Sequence, residues 1–117
     1  MPKKIVIAPD SFKGSLTAHD VADAMERGVL QVLPDAHIIK HPVSDGGEGL
    51  VSVVTPALGG CIVTTSVSGP LPGQRVDARW GLSSDGSVAI IEMAEAAGLT
   101  LVPFDRRDPK ITTTYGV

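Results

Sequence analysis

A continuous apolar run, Ile5-Val6-Ile7-Ala8, stops at Pro9-Asp10 and is followed closely by a segment of helical periodicity. That succession constrains the fold more than any other feature of the chain. Consecutive apolar residues without alternation read as a strand covered on both faces. From Thr17 to Leu33, Val21, Met25, Val29 and Leu33 recur every four residues, and Ala18, Ala22 and Val32 widen the stripe. Thr17 with Asp20 three positions on forms an N-cap pair, and Pro34-Asp35 stops the helix. Gly28 inside it costs about 1 kcal/mol relative to Ala, which packing of the apolar stripe offsets. A second short strand is expected around His37–His41, centred on Ile38-Ile39.

After it come Pro42-Val43-Ser44-Asp45-Gly46-Gly47-Glu48-Gly49 and an apolar stretch from Leu50 to Leu58. The stretch reads as a helix ended by Gly59-Gly60. Pro56 removes one of its backbone hydrogen bonds, so a kink or early breakdown is expected there. Two strand–helix units within the first sixty or so residues argue for a parallel sheet with helical crossovers. Beyond Cys61 the pattern changes. Cys61–Val67 and Arg75–Leu82 alternate like half-exposed strands, joined by the turn-rich Gly69-Pro70-Leu71-Pro72-Gly73. Ser83-Ser84-Asp85-Gly86 turns the chain into a third strand within Ser87–Met93, and such short strands joined by turns are antiparallel. The expected architecture is therefore an α/β opening followed, near residue 60, by a β-rich segment.

The 117 residues are 43% hydrophobic and 20% charged, which is a globular composition. Ten Lys/Arg against thirteen Asp/Glu leave a net charge of −3, with no basic excess to drive sequence-independent binding to nucleic acid. A single cysteine, Cys61, rules out an internal disulfide framework and a multi-Cys zinc site, and is expected to be a buried thiol. The short apolar run near the N-terminus is no secretory h-region, so a reducing cytoplasm is the expected location.

In open α/β sheets, ligands bind beyond the carboxyl ends of the strands. The first strand delivers Asp10-Ser11-Phe12-Lys13-Gly14-Ser15 there, and the second Ser44-Asp45-Gly46-Gly47-Glu48-Gly49. If the strands are parallel, both loops rise from one edge. Closely spaced glycines let backbone N–H groups approach an anion, and a helix start adds partial positive charge. The same residues also read as a tight turn with Glu48 in a helix first turn. The pattern is neither G-x-x-x-x-G-K-[ST] nor G-x-G-x-x-G.

Lys13 can clamp a phosphate or a carboxylate as a compact charge, or be a solvated loop lysine. Asp10 can orient Lys13, hold a metal or act as a base, or close an Asx-turn. Asp45 can take a proton from a substrate hydroxyl, or serve only its turn. His19, His37 and His41 lack ligand spacing and read as surface residues. Glu92 and Glu95 read as a solvated face or as caps. Arg106-Arg107-Asp108 reads as an exposed turn able to approach an anion, and Thr112-Thr113-Thr114 offers hydroxyls with no evident partner.

Ile5-Val6-Ile7-Ala8-Pro9-Asp10-Ser11-Phe12-Lys13-Gly14-Ser15-Leu16 closely resembles the opening of the bacterial glycerate kinase family. Four later blocks agree in order: Asp45-Gly46-Gly47-Glu48-Gly49, Ser68-Gly69-Pro70-Leu71, Ile91-Glu92-Met93-Ala94 with Ala97-Gly98-Leu99, and Asp108-Pro109 with Thr112-Thr113-Thr114-Tyr115-Gly116. Leu50, where Thr is common, and Pro72, within the usual Gly-Pro-Leu-Gly turn, are departures.

The resemblance implies transfer of the γ-phosphoryl group of ATP, with Mg²⁺, to a hydroxyl of D-glycerate, giving 2- or 3-phosphoglycerate. It implies a two-domain fold, with residues 1–60 opening a Rossmann-like domain and 61–117 beginning a second, mixed α/β domain. Carried over by motif, Asp45, Lys13 and Asp10 are the catalytic candidates. Ser11, Gly46, Gly47 and Glu48 are the substrate- and phosphate-binding ones, and no resident protein metal site is expected. The chain stops at Val117, well short of a typical member, so a fragment inactive by itself is expected. The alternatives are a non-catalytic module for small anions and a self-associating fragment that closes its edges as a homo-oligomer.

Overall fold

The structure, a computed structural model, describes residues 2–117. The chain forms two compact units, one ending at Asp45 and one spanning Gly46–Val117. In the first, β1 (Lys4–Ile7) and β2 (His37–Lys40) pair in parallel, with Ile5 opposite Ile38 and Val6 opposite Ile39. The helix between them, α1 (Ala18–Val32), packs against both strands and buries Ala18, Val21 and Ala22. Thr17 and Asp20 form the expected capping box at its start.

Two expectations change here. Val6 is 59% exposed, so β1 is covered on one face only. Alternation sends Ile5 and Ile7 to the face under α1 and Val6 to the other, where the described residues of this unit place no second layer. The apolar stripe of α1 is likewise buried mainly in its first turns, since Met25 and Val32 stay exposed where the helix outruns the four-residue strands. Outside the stripe, Lys40 on β2 reaches Asp23 and Glu26 of α1 at 2.8 and 2.6 Å. Its hydrogen bonds hold the Asp23 carboxyl below its ordinary range and raise the Lys40 ammonium.

The second unit opens with α2 (Leu50–Ala57) and continues into an antiparallel sheet of β3 (Cys61–Ser68), β4 (Arg75–Leu82) and β5 (Ala89–Ile91), in that order. Pro56 lies in the last turn of α2, and the helix closes two residues later. Gly59 takes φ 60°, its N–H bonds the Pro56 carbonyl, and the Gly60 N–H bonds that of Thr55. Val51 and Thr55 of α2 are fully buried. Helix α2 touches all three strands, and a Cβ at Gly81 of β4 would lie 1.9 Å from Thr55 Oγ1. Only a glycine lets the helix approach the sheet this closely.

Gly81 pairs with Ile90, which is also buried, so α2 lies across the face carrying both. Helix α3 (Met93–Ala97) and two 3-10 turns, Leu99–Leu101 and Phe104–Arg106, complete the unit, with Leu71, Ala78, Ala96 and Val102 in its core. Cys61 is exposed at the start of β3, an outer strand of this sheet, contrary to the buried thiol expected. No helix among the described residues is long and apolar enough to cross a membrane.

Candidate functional site

The parallel pairing does not stop with the strands. The His41 N–H donates to the Ile7 carbonyl at 2.7 Å, and the Val43 N–H to that of Pro9 at 3.0 Å. Two backbone runs therefore leave the carboxyl edge of the sheet side by side, one leading to Asp10-Ser11 and the other to Ser44-Asp45. Within the first unit, the sequence argument for convergence is met by the backbone.

Asp10 and Ser11 are half-buried, and the Ser11 N–H donates to Asp10 Oδ1 at 2.6 Å. This contact fixes one carboxylate oxygen. Beyond it the chain reverses: Ser15 and Leu16 N–H groups bond the Phe12 carbonyl, and the Phe12 N–H bonds that of Leu16. Gly14 takes φ 71° at this tip, a conformation costly for any residue with a Cβ. Lys13 is presented to solvent from the turn, and Asp45 at the end of the unit is exposed.

Gly46, Gly47 and Glu48 open the second unit and are exposed there. Gly46 and Gly49 take φ of 96° and 91°, so the loop carries two left-handed residues just before α2. The N-cap, Gly49, has no side chain to satisfy the free amides of the first turn. Glu92 supplies one. Its Oε1 accepts from the Gly49 N–H at 2.9 Å and its Oε2 from the Val51 N–H at 3.0 Å.

Glu92 is 4% exposed, so of its two readings, a solvated face or a cap, the structure takes the cap, made to a helix distant in sequence. It stands two residues after Ile90, so strand alternation turns it to the same buried face, and that period-two relation is the signal that could have revealed it. Glu95, for which the same two readings stood, accepts from the Arg79 N–H at 3.1 Å and from its guanidinium. Burial pushes the Glu95 carboxyl up, but these bonds outweigh it and hold the group below its ordinary range.

A groove of about 730 Å³ lies wholly within the second unit. Gly47 and Glu48 border it, together with Arg107 and Thr112–Thr114. Met93, Ala97, Leu99 and Val102 supply an apolar wall. The groove brings together the glycine-loop residues and two polar runs that spacing alone left without a role. Among the described residues no cluster of three His, Cys, Asp or Glu side chains is placed to hold a metal ion.

Comparison with known proteins agrees across nearly the whole chain. A family model described as the glycerate kinase family matches residues 5–117. The glycerate 2-kinase of Escherichia coli K12 is 52% identical over 113 residues, which are 97% of this chain and 29% of that protein. The glycerate kinase of Bacillus subtilis 168 is 54% identical over the same shares of the two chains. A crystal structure of a protein designated glycerate kinase 2, from Salmonella typhimurium LT2, superposes with a TM-score of 0.72 at 53% identity. That match covers 97% of this chain and 31% of the other. The chain thus spans about 30% of the length of the relatives it matches.

Proposed function

Since the chain belongs to the glycerate kinase family, we propose that it is one wall of a kinase that moves the γ-phosphoryl group of ATP to a hydroxyl of D-glycerate. The product is 2- or 3-phosphoglycerate, and the setting is the cytoplasm. The observation that carries the reading is the side-by-side exit of the two loops through Ile7–His41 and Pro9–Val43. It sets the Asp10 and Asp45 segments at one sheet edge, where α/β folds bind ligands.

In this reading Asp45 accepts the proton of the attacking hydroxyl and Lys13 offers its ammonium to a phosphate oxygen. Asp10 is held by the Ser11 amide through one oxygen, which leaves the other for a cation or for Lys13. Ser11 presents its hydroxyl to an anion, and Gly46, Gly47 and Glu48 are the second unit's phosphate- and substrate-binding candidates. The donor set suits a nucleotide-borne Mg²⁺, which takes one or two carboxylates with substrate phosphates rather than an all-protein cage. Bound there, the ion would neutralise charge on the transferring phosphate; Asp10 is the carboxylate to hold it.

The test is ADP release with D-glycerate by the full-length protein that carries this chain. Asp45→Asn and Lys13→Ala should each lower kcat/KM by about tenfold or more, or ~1.4 kcal/mol in activation free energy. Unchanged kinetics for both would remove the loops from the mechanism. Stabilisation by D-glycerate with no ADP released would identify a binding module instead.

A further inference from the structure

We propose that the groove of the second unit, between the Gly47-Glu48 loop and the Arg107–Thr114 segment, is the site where the carboxylate of the short hydroxy acid binds, with Arg107 as its anchor. This rests on the kinase reading and adds to it the residues that recognise the acceptor.

Arg107 is prepared for the task by its surroundings. Its Nε donates to the Val102 carbonyl at 3.2 Å and its Nη2 to the Leu99 carbonyl at 3.3 Å. The guanidinium also lies 5.4 Å from the centre of the Phe104 ring. Two carbonyls and a ring fix the plane of the fork, and the N–H groups they leave over can meet a carboxylate edge-on.

The threonine run is fixed as well. The Thr112 N–H bonds the Asp108 carbonyl and the Thr113 N–H that of Pro70, both within 3.1 Å. Thr113 Oγ1 accepts from the Tyr115 N–H, which ties its hydroxyl to the backbone of the run. Thr112 is the half-buried one.

The charge balance selects the ligand. The groove offers one guanidinium against two carboxylates, Glu48 and Asp108, the latter accepting from the Lys110 N–H. One cation among acceptors is a poor match for a triphosphate, which needs several. It matches a molecule with one carboxylate and neighbouring hydroxyls, the carboxylate on Arg107 and a hydroxyl donating to Glu48. The groove is several times larger than a three-carbon acid, so the acid fills its polar end and leaves the apolar wall of Met93 and Leu99 to other contacts.

In the full-length protein, D-glycerate titrated by calorimetry gives Kd, and steady-state turnover gives KM for D-glycerate and for ATP. Arg107→Met should raise both glycerate constants by about tenfold or more, the size of one lost charge-assisted hydrogen bond, and leave KM for ATP unchanged. Arg107→Lys should recover part of the loss, and Arg106→Met, at a position outside the groove lining, should change nothing. Glycerol, which has the hydroxyls without the charge, should not bind.

Arg107 also holds two carbonyls, so Thr112→Val provides a second variant, expected to weaken D-glycerate binding by about threefold to tenfold. Equal effects of Arg107→Met on glycerate and ATP would overturn the proposal, as would no effect on either. If that variant does not fold, an unchanged Kd in Thr112→Val overturns it. Arg107-dependent binding of D-glycerate without ADP release keeps the groove and removes the kinase. Turnover whose glycerate KM ignores both variants keeps the kinase and removes the groove. A wild-type protein that neither binds nor phosphorylates D-glycerate ends both.

Discussion

At the start of α1, Thr17 and Asp20 satisfy each other's backbone amides across three residues, with Thr17 Oγ1 accepting from the Asp20 N–H at 3.2 Å. At the start of α2 no residue of the helix does this. The acceptor there is Glu92, brought from the end of β5 and almost wholly buried. One cap is local and open to water, the other tertiary and shielded from it. The difference decides what each can hold in place. The capping box steadies the helix that carries the chain from one strand to the next, whereas Glu92 ties the glycine loop before α2 to the antiparallel sheet of its unit. A loop that must keep two left-handed glycines in a fixed shape gains more from a distant anchor than from its own side chains.

Cutting the buried anchor should produce the largest change. Glu92→Ala leaves the buried Val51 amide and the half-buried Gly49 amide without their acceptor and is expected to destabilise the second unit by about 3 kcal/mol. Glu92→Gln keeps one acceptor and should lose about half of that. Urea unfolding reads the total, and hydrogen exchange at the Gly49 and Val51 amides shows whether the loss begins at the helix start. Exchange rates at those two sites equal to wild type would mean that Glu92 is no cap.

Thr17→Ala should cost about 1 kcal/mol. Faster exchange ought to be confined to the first turn of α1, with α2 untouched. A response in both helices would erase the contrast between local and tertiary capping.

Thr55 sharpens the comparison from the opposite side. Its hydroxyl is buried against Gly81 with no hydrogen-bond partner among the described residues, so the second unit carries an unmet polar group beside its well-met one. Thr55→Val keeps the shape, removes the unpaired oxygen, and should stabilise by about 1 kcal/mol in urea unfolding. A destabilised variant would mean that the hydroxyl has an acceptor in solution.

The smallest effect concerns acid. Ser83 Oγ, then the Ser87 N–H and Oγ, hold the Asp85 carboxyl down at about 2 in the turn between β4 and β5. A carboxyl lowered on folding adds stability that is complete above the unfolded value of about 4 and fades as pH falls toward the folded one. Wild type and Asp85→Asn should therefore differ most above pH 4 and converge toward pH 2. A gap that stays constant over that range would assign the turn's stability to something other than this carboxylate. The group is fully exposed, so the gap itself will be modest.

The periodic elements were legible because their signals are local. Val21 and Val29, with Thr17 before them, announce α1, and the alternation of Val76, Ala78, Trp80 and Leu82 announces β4. The edge shared by Asp10 and Asp45 was legible too, since a helix between two short strands forces them parallel. For Glu92 the choice between a solvated face and a cap stayed open because its partners lie more than forty residues away, and only the face shared with Ile90 hinted at them. Cys61 was misread because an apolar residue at the start of an outer strand can point away from the core as readily as into it. Val6 was misread because an apolar run records what a residue can tolerate around it, not whether a second layer is supplied.

The sequence by itself determined the strand–helix–strand opening, the turns and caps built from neighbouring residues, and the family to which the chain belongs. All of these depend on spacings of four residues or fewer, or on ordered motifs. Tertiary structure decided which carboxylate is buried, which glycine admits a helix, and that Glu48, Arg107 and Thr112 border one groove. Those outcomes depend on the register of β4 against β5 and on the approach of α2 to the sheet. Pairing between residues distant along the chain is fixed by the packing of whole elements, and no short stretch of sequence encodes it.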